Sequence, residues 1–78
     1  MANTLILVDK GGNPWKKVNV RIEWNGGGYD HVWVDESGRG SFSGTGTVNA
    51  VHAPGEVIYQ RQVVKGDTTF IAQSDNAH

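Results

Sequence analysis

The sequence predicts an all-β chain, folded as a small antiparallel β-sandwich of six or seven strands, and three observations carry that prediction. Apolar residues recur at every second position, eleven glycines and two prolines break the chain at short intervals, and no stretch of helix length has helical spacing. The alternation is clearest in "KVNVRIEW", where Val18, Val20, Ile22 and Trp24 fall on one face and Lys17, Asn19, Arg21 and Glu23 on the other. One face is buried and one is wet, as an antiparallel sheet allows. Turns at nearly every step favour a sandwich or a small barrel, of which the sandwich is the expectation adopted.

The expected strands, in order, are Leu5–Asp9, Val18–Trp24, Tyr29–Asp35, Gly40–Ser43, Thr47–Ala53, Val57–Val64 and Thr68–Gln73. "GGNP" separates the first two with glycine freedom and a fixed proline φ, and "NGGG" suits a hairpin. "APG" at Ala53–Gly55 and "KGD" at Lys65–Asp67 mark further reversals. Alternation then assigns an inward set of Leu5, Leu7, Val18, Val20, Ile22, Trp24, Val32, Val34, Phe42, Val48, Ala50, Val57, Tyr59, Val63 and Phe70. His52, in phase with Val48 and Ala50, is read as a partly buried, hydrogen-bonded core histidine.

One register admits two answers. A four-residue loop over Asn25–Gly28 turns Tyr29, His31 and Trp33 inward, whereas a loop one residue longer or shorter turns Val32 and Val34 inward instead. The valines are taken as buried, because burying His31 would demand a hydrogen-bond partner.

Length and composition bound the function. A chain of 78 residues makes one domain with a thin core, and folding at that size removes only roughly 60 % of the surface the unfolded chain exposes. With no cysteine there is no disulfide to help, so contact with another subunit is the remaining source of burial. Seven Lys and Arg against eight Asp and Glu give a net charge of -1, which lacks the basic footprint of a nucleic-acid binder. The apolar run Leu5–Val8 is too short to span a membrane and follows no basic leader, so the chain as written is expected in the cytoplasm or assembled into a virion. The tail from Ser74 to His78 is expected to fray.

The stretch "HVWVDESGRG" crowds an imidazole, two carboxylates and a guanidinium into ten residues. Asp35 and Glu36 are adjacent, so strand geometry sends them to opposite faces rather than pairing them as acid and base over one substrate atom. An Asx turn accounts for the stretch better: the Asp35 carboxylate takes backbone N–H bonds and Gly38 takes the positive φ that closes the reversal.

Here the sequence resembles a known family. "LVDKGGNPWKKVNVRIEW", then "VWVDESGRGSF", then a strand ending in "APGE", is similar to the prealbumin-like, or carboxypeptidase-regulatory-like, β-sandwich, with Asp9, Gly12, Pro14, Val18, Val20, Asp35, Gly38 and Phe42 in the places of its turn motifs. Val34 stands where threonine is common, and the segment between Gly38 and Phe42 is one residue longer than the pattern. The resemblance covers roughly residues 5–57 and implies the sandwich, not an activity. The family's purine-pathway hydrolase branch would end in Tyr-Arg-Gly-Ser, whereas this chain ends "SDNAH".

No pattern of chemistry stands out beyond that. The glycines of "GRGSFSGTG" lead into no helix and carry no phosphate-loop lysine. His31 and His52 match no metal-ligand spacing, so neither metal nor cofactor is expected. Ser37, Ser41 and Ser43 near His31 read as turn residues rather than nucleophiles. "KGD" is a hairpin signal in its own right. The aromatics are the distinctive feature: Tyr29 and Trp33 would line an outer face beside His31 and Arg21, with Trp15 in the first turn. Aromatic surface ringed by hydrogen-bonding groups serves protein partners and sugars alike. The expected function is therefore non-catalytic. A structural or protein-interaction module, such as a decorating protein of a phage-like particle, engages a protein partner or its own copies. A carbohydrate-binding or adhesion module is the alternative.

Overall fold

The computed structural model describes residues 2–76. Among them are eight strands and no helix: β1 Asn3–Val8, β2 Val18–Trp24, β3 Tyr29–Val34, β4 Arg39–Phe42, β5 Gly46–Ala53, β6 Glu56–Ile58, β7 Gln62–Val64 and β8 Thr69–Gln73. They form a sheet in the order β4-β1-β8 and a larger sheet in the order β3-β2-β5-β6, with β7 also on β5. Every pairing is antiparallel except that of β1 with β8, where the first and last strands run side by side. The fold is the small β-sandwich that the alternation predicts.

Alternation fills the space between the layers. Leu5 and Leu7 from β1, Val20 and Ile22 from β2, Val32 and Val34 from β3 and Phe70 from β8 are each no more than 1 % exposed. Val18 and Trp24 pack against this cluster while partly open, and Trp24 leans on Phe42 with ring centroids 6.1 Å apart. The hairpin joining β2 and β3 settles the register question. Glu23 pairs with Tyr29 and Val20 with Val32, which turns the valines inward and leaves Trp33 55 % exposed.

Three expectations need correction. The sixth expected strand, over residues 57–64, is two: β6 and β7 meet β5 in registers that leave Tyr59, Gln60 and Arg61 opposite only Asn49 and Ala50. The residues buried there are Ile58 and Val64, whereas Val57, Tyr59 and Val63, placed in the core by alternation, are 37 %, 84 % and 52 % exposed. Both faces of the segment carry apolar residues, so hydrophobicity alone does not choose its phase.

The second correction concerns β5. Ile22 pairs with Val51 and Glu23 with Ala50, but Trp24 pairs with Val48, which leaves Asn49 as an extra residue in β5. That bulge shifts the phase, so Val51 and Ala53 point into the core and His52 joins the outer face. Thirdly, Trp15 is not an outer-face residue. It is 6 % exposed and belongs to the core cluster, held where its backbone N–H donates to the Leu7 carbonyl at 3.1 Å.

Two aspartate turns of the same design sit against each other. In both, the aspartate Oδ1 accepts backbone N–H groups from the residues two and four places on: Gly11 and Asn13 for Asp9, both at 2.9 Å, and Ser37 and Arg39 for Asp35, at 2.8 and 3.1 Å. The third residue on is a glycine at positive φ, 84° at Gly12 and 80° at Gly38, donating to the aspartate carbonyl. Gly38 also sits hard against the first turn: a Cβ there would come within 2.7 Å of Pro14 Cβ. The reading of "DESG" as a structural turn therefore holds at the atomic level. In the tail, Ser74 is buried and bonded to Val8 and Glu56, and the Asn76 carbonyl accepts from Lys10 N–H. Residues 77 and 78 lie outside the described part of the chain.

Candidate functional site

The outer face of the five-stranded sheet gathers the polar and aromatic side chains. Alternate residues of β2 present Asn19, Arg21 and Glu23, and those of β3 present Tyr29, His31 and Trp33 directly opposite. Asn19 faces Trp33, Arg21 faces His31, and Glu23 faces Tyr29. From the other side β5 contributes His52, which is also a cross-strand partner of Arg21. The row continues to Val57 on β6.

Side-chain contacts fix most of this surface in place. The Arg21 guanidinium lies over the Tyr29 ring, 5.0 Å from its centroid, and the His52 ring meets Tyr29 edge-on at 5.6 Å. His52 Nε2 stands 2.8 Å from Glu23 Oε1. Because a carboxylate only accepts, that nitrogen carries the proton. Asn49, the extra residue of the β5 bulge, donates to the other Glu23 oxygen at 3.2 Å. Foremost the His52 bond, then that from Asn49, hold the Glu23 carboxyl below the ordinary carboxylate range.

The residues singled out from sequence divide cleanly. Arg21, Tyr29, His31 and Trp33 share one face, Trp15 lies in the core, and Asp35 and Gly38 build the turn after β3. Sequence reasoning missed His52 and the Glu23–His52–Asn49 arrangement, since the bulge that turns His52 outward leaves no mark in the alternation. Trp33 also borders a shallow depression with Thr4, Arg39 and Ser41, where β4 crosses to the smaller sheet. A second depression, bordered by Asn19, Arg21, His31, His52, Ala53 and Pro54, lies on the face itself.

Among the described residues no group of three or more His, Asp or Glu side chains is placed to hold a metal ion. No helix among them is long and apolar enough to cross a membrane. Neither the protein-family models nor the curated proteins give any match to this chain.

Proposed function

We propose that this protein is a non-catalytic structural or interaction module that binds a protein partner through the outer face of its five-stranded sheet. The observation that carries the reading is the pair Tyr29 and Trp33 on one strand face, 49 % and 55 % exposed, with the Arg21 guanidinium over the Tyr29 ring. Trp, Tyr and Arg are the residue types that dominate protein hot spots, and here they stand on a rigid sheet and lose little entropy on binding. A standard contact removes about 800 Å² from each partner, roughly a sixth of the 4523 Å² this chain exposes, so the face as a whole is the binding unit.

The carbohydrate alternative needs open aromatic platforms. Tyr29 is occupied by Arg21 on one side and His52 on its edge, which leaves Trp33 with its neighbour Asn19 to stack a sugar ring. One platform favours a protein over a glycan. In its finer form the proposal is a decorating or structural protein of a phage-like particle, with the prealbumin-like resemblance of the two aspartate turns describing its scaffold.

Trp33→Ala tests the reading. With the side chain more than half exposed, the change shifts stability by less than about 1 kcal/mol. Immobilised wild type is expected to capture a partner that the variant loses, and that partner, purified, must rebind the wild type. Equal capture by both proteins rejects the face. A tryptophan emission shift on titration with oligosaccharides, absent from the variant, transfers the function to the carbohydrate alternative.

A further inference from the structure

Arg21 stands at the middle of the proposed face with an imidazole on each side. Its cross-strand partners are His31 on β3 and His52 on β5, and such neighbours bring their Cβ atoms to about 5 Å. All three border the depression, whose rim is completed by Asn19, Ala53 and Pro54 on the side where β2 begins and β5 ends. The guanidinium carbon lies over the Tyr29 ring, and among the described residues its N–H groups donate to no side-chain or backbone acceptor, so they are available to a ligand.

Charge balance points the same way. The ion pairs among the described residues are Lys17–Glu36 and Glu23–His52, so Arg21 has no carboxylate partner there. Glu23, two residues along the same strand face, is paired with His52 and Asn49 and not with Arg21. A planar fork of donors, held by stacking and lacking an acceptor, matches a carboxylate.

We propose that this depression is a carboxylate-binding site, and that the partner enters it with an Asp or Glu side chain between Arg21, His31 and His52. The inference rests on the interaction reading above and names the partner's chemistry. Trp33 follows His31 by two residues on β3, which along a strand is roughly 7 Å. An extended partner segment repeats its side chains at the same interval. The segment that fits both features therefore carries an acidic residue and, two positions away, an apolar or aromatic residue that covers Trp33.

Capped heptapeptides test this with the full chain. Gly-Gly-Glu-Gly-Phe-Gly-Gly and its Gln counterpart are titrated into isotope-labelled protein at low ionic strength, and a heparin fragment serves as the polysaccharide probe. The Glu peptide is expected to give saturable amide shifts at residues 21, 31 and 52 and at the Trp33 indole N–H. Its apparent affinity should exceed that of the Gln peptide by about fivefold, and Arg21→Gln, on an exposed strand face, should erase that difference.

Equal binding of the two peptides at Trp33, or an unchanged Glu preference in Arg21→Gln, overturns the carboxylate site and leaves the interaction face standing. Absence of any shift on the face with the Glu peptide overturns the site as well, while the Trp33→Ala capture experiment decides the face separately. Shifts at residues 21, 31 and 52 with heparin but not with the Glu peptide overturn it in favour of a sulfated polysaccharide.

Discussion

At the scale of single residues, each aspartate turn rests on a glycine at positive φ, 84° at Gly12 and 80° at Gly38. Gly38 combines a φ of 80° with a missing Cβ that would meet Pro14 Cβ at 2.7 Å and the Leu7 carbonyl at 2.8 Å. Gly38→Val therefore adds backbone strain to overpacking and is expected to destabilise the protein by about 2–4 kcal/mol in denaturant titration. Asp35 makes a second, pH-dependent prediction. Its carboxyl is held below the ordinary range, chiefly by the Ser37 hydroxyl and then by the backbone N–H groups of Arg39 and Ser37. A carboxyl with a lower folded than unfolded pKa binds fewer protons when folded. The stabilisation is complete above the unfolded value of about 4 and is lost as pH falls through the lower folded value. Thermal unfolding between pH 2 and 6 should show a steeper acid loss for wild type than for Asp35→Asn. Equal slopes would place the titration elsewhere. Asp35, Gly38 and the turn they make are legible in the sequence because an Asx turn is local: every group it needs lies within five residues.

At the scale of strands, irregularity decides what a residue does. The Asn49 bulge in β5 moves His52 from the core to the outer face of the larger sheet, and the three-residue bulge between β6 and β7 frees Gln60. The Gln60 carboxamide then lies along the open edge of β8, donating to the Ile71 carbonyl and accepting from Gln73 N–H at 3.4 Å. One side-chain amide thus takes the place that a residue of a parallel neighbouring strand would occupy. The edge needs such cover. β8 reads "TFIAQ", without charge, proline or glycine, whereas β3, β4 and β6 each carry a charged residue. Gln60→Ala should cost about 0.5–1.5 kcal/mol and produce concentration-dependent association in light scattering that wild type does not show. A variant that stays monomeric would mean that the β8 edge is protected by its surroundings instead.

At the scale of the whole molecule, the sandwich is closed by its ends. β1 is the centre of the smaller sheet, and its partners are β4 and the last strand, β8, which brings Phe70 and Ala72 into the core. Asn3 strengthens the closure: its fully buried carboxamide donates to the Gly44 carbonyl at 2.9 Å and accepts from Thr68 N–H at 3.0 Å. Removing the chain after Asp67 deletes β8, exposes Leu5 and Leu7, and leaves a core too small for 67 residues to fold around. Circular dichroism of that truncated chain should show loss of sheet structure and of the cooperative thermal transition. A folded truncated chain would show that the five-stranded sheet and its hairpins suffice.

The sequence by itself determined the all-β class, nearly all strand boundaries to within two residues, the aspartate turns and the outward placement of Arg21, while for Tyr29, His31 and Trp33 it left two registers that only the β2–β3 pairing decided. These depend on period-two alternation and on hydrogen bonds between near neighbours, both written in the order of the residues. Only the tertiary structure decided the burial of Trp15, the outward turn of His52, the inward phase of Ile58 and Val64, and the pairing of the first strand with the last. Each of these follows from one strand's register against another, and a register is set by the partner's geometry, which no local pattern of apolar and polar residues encodes.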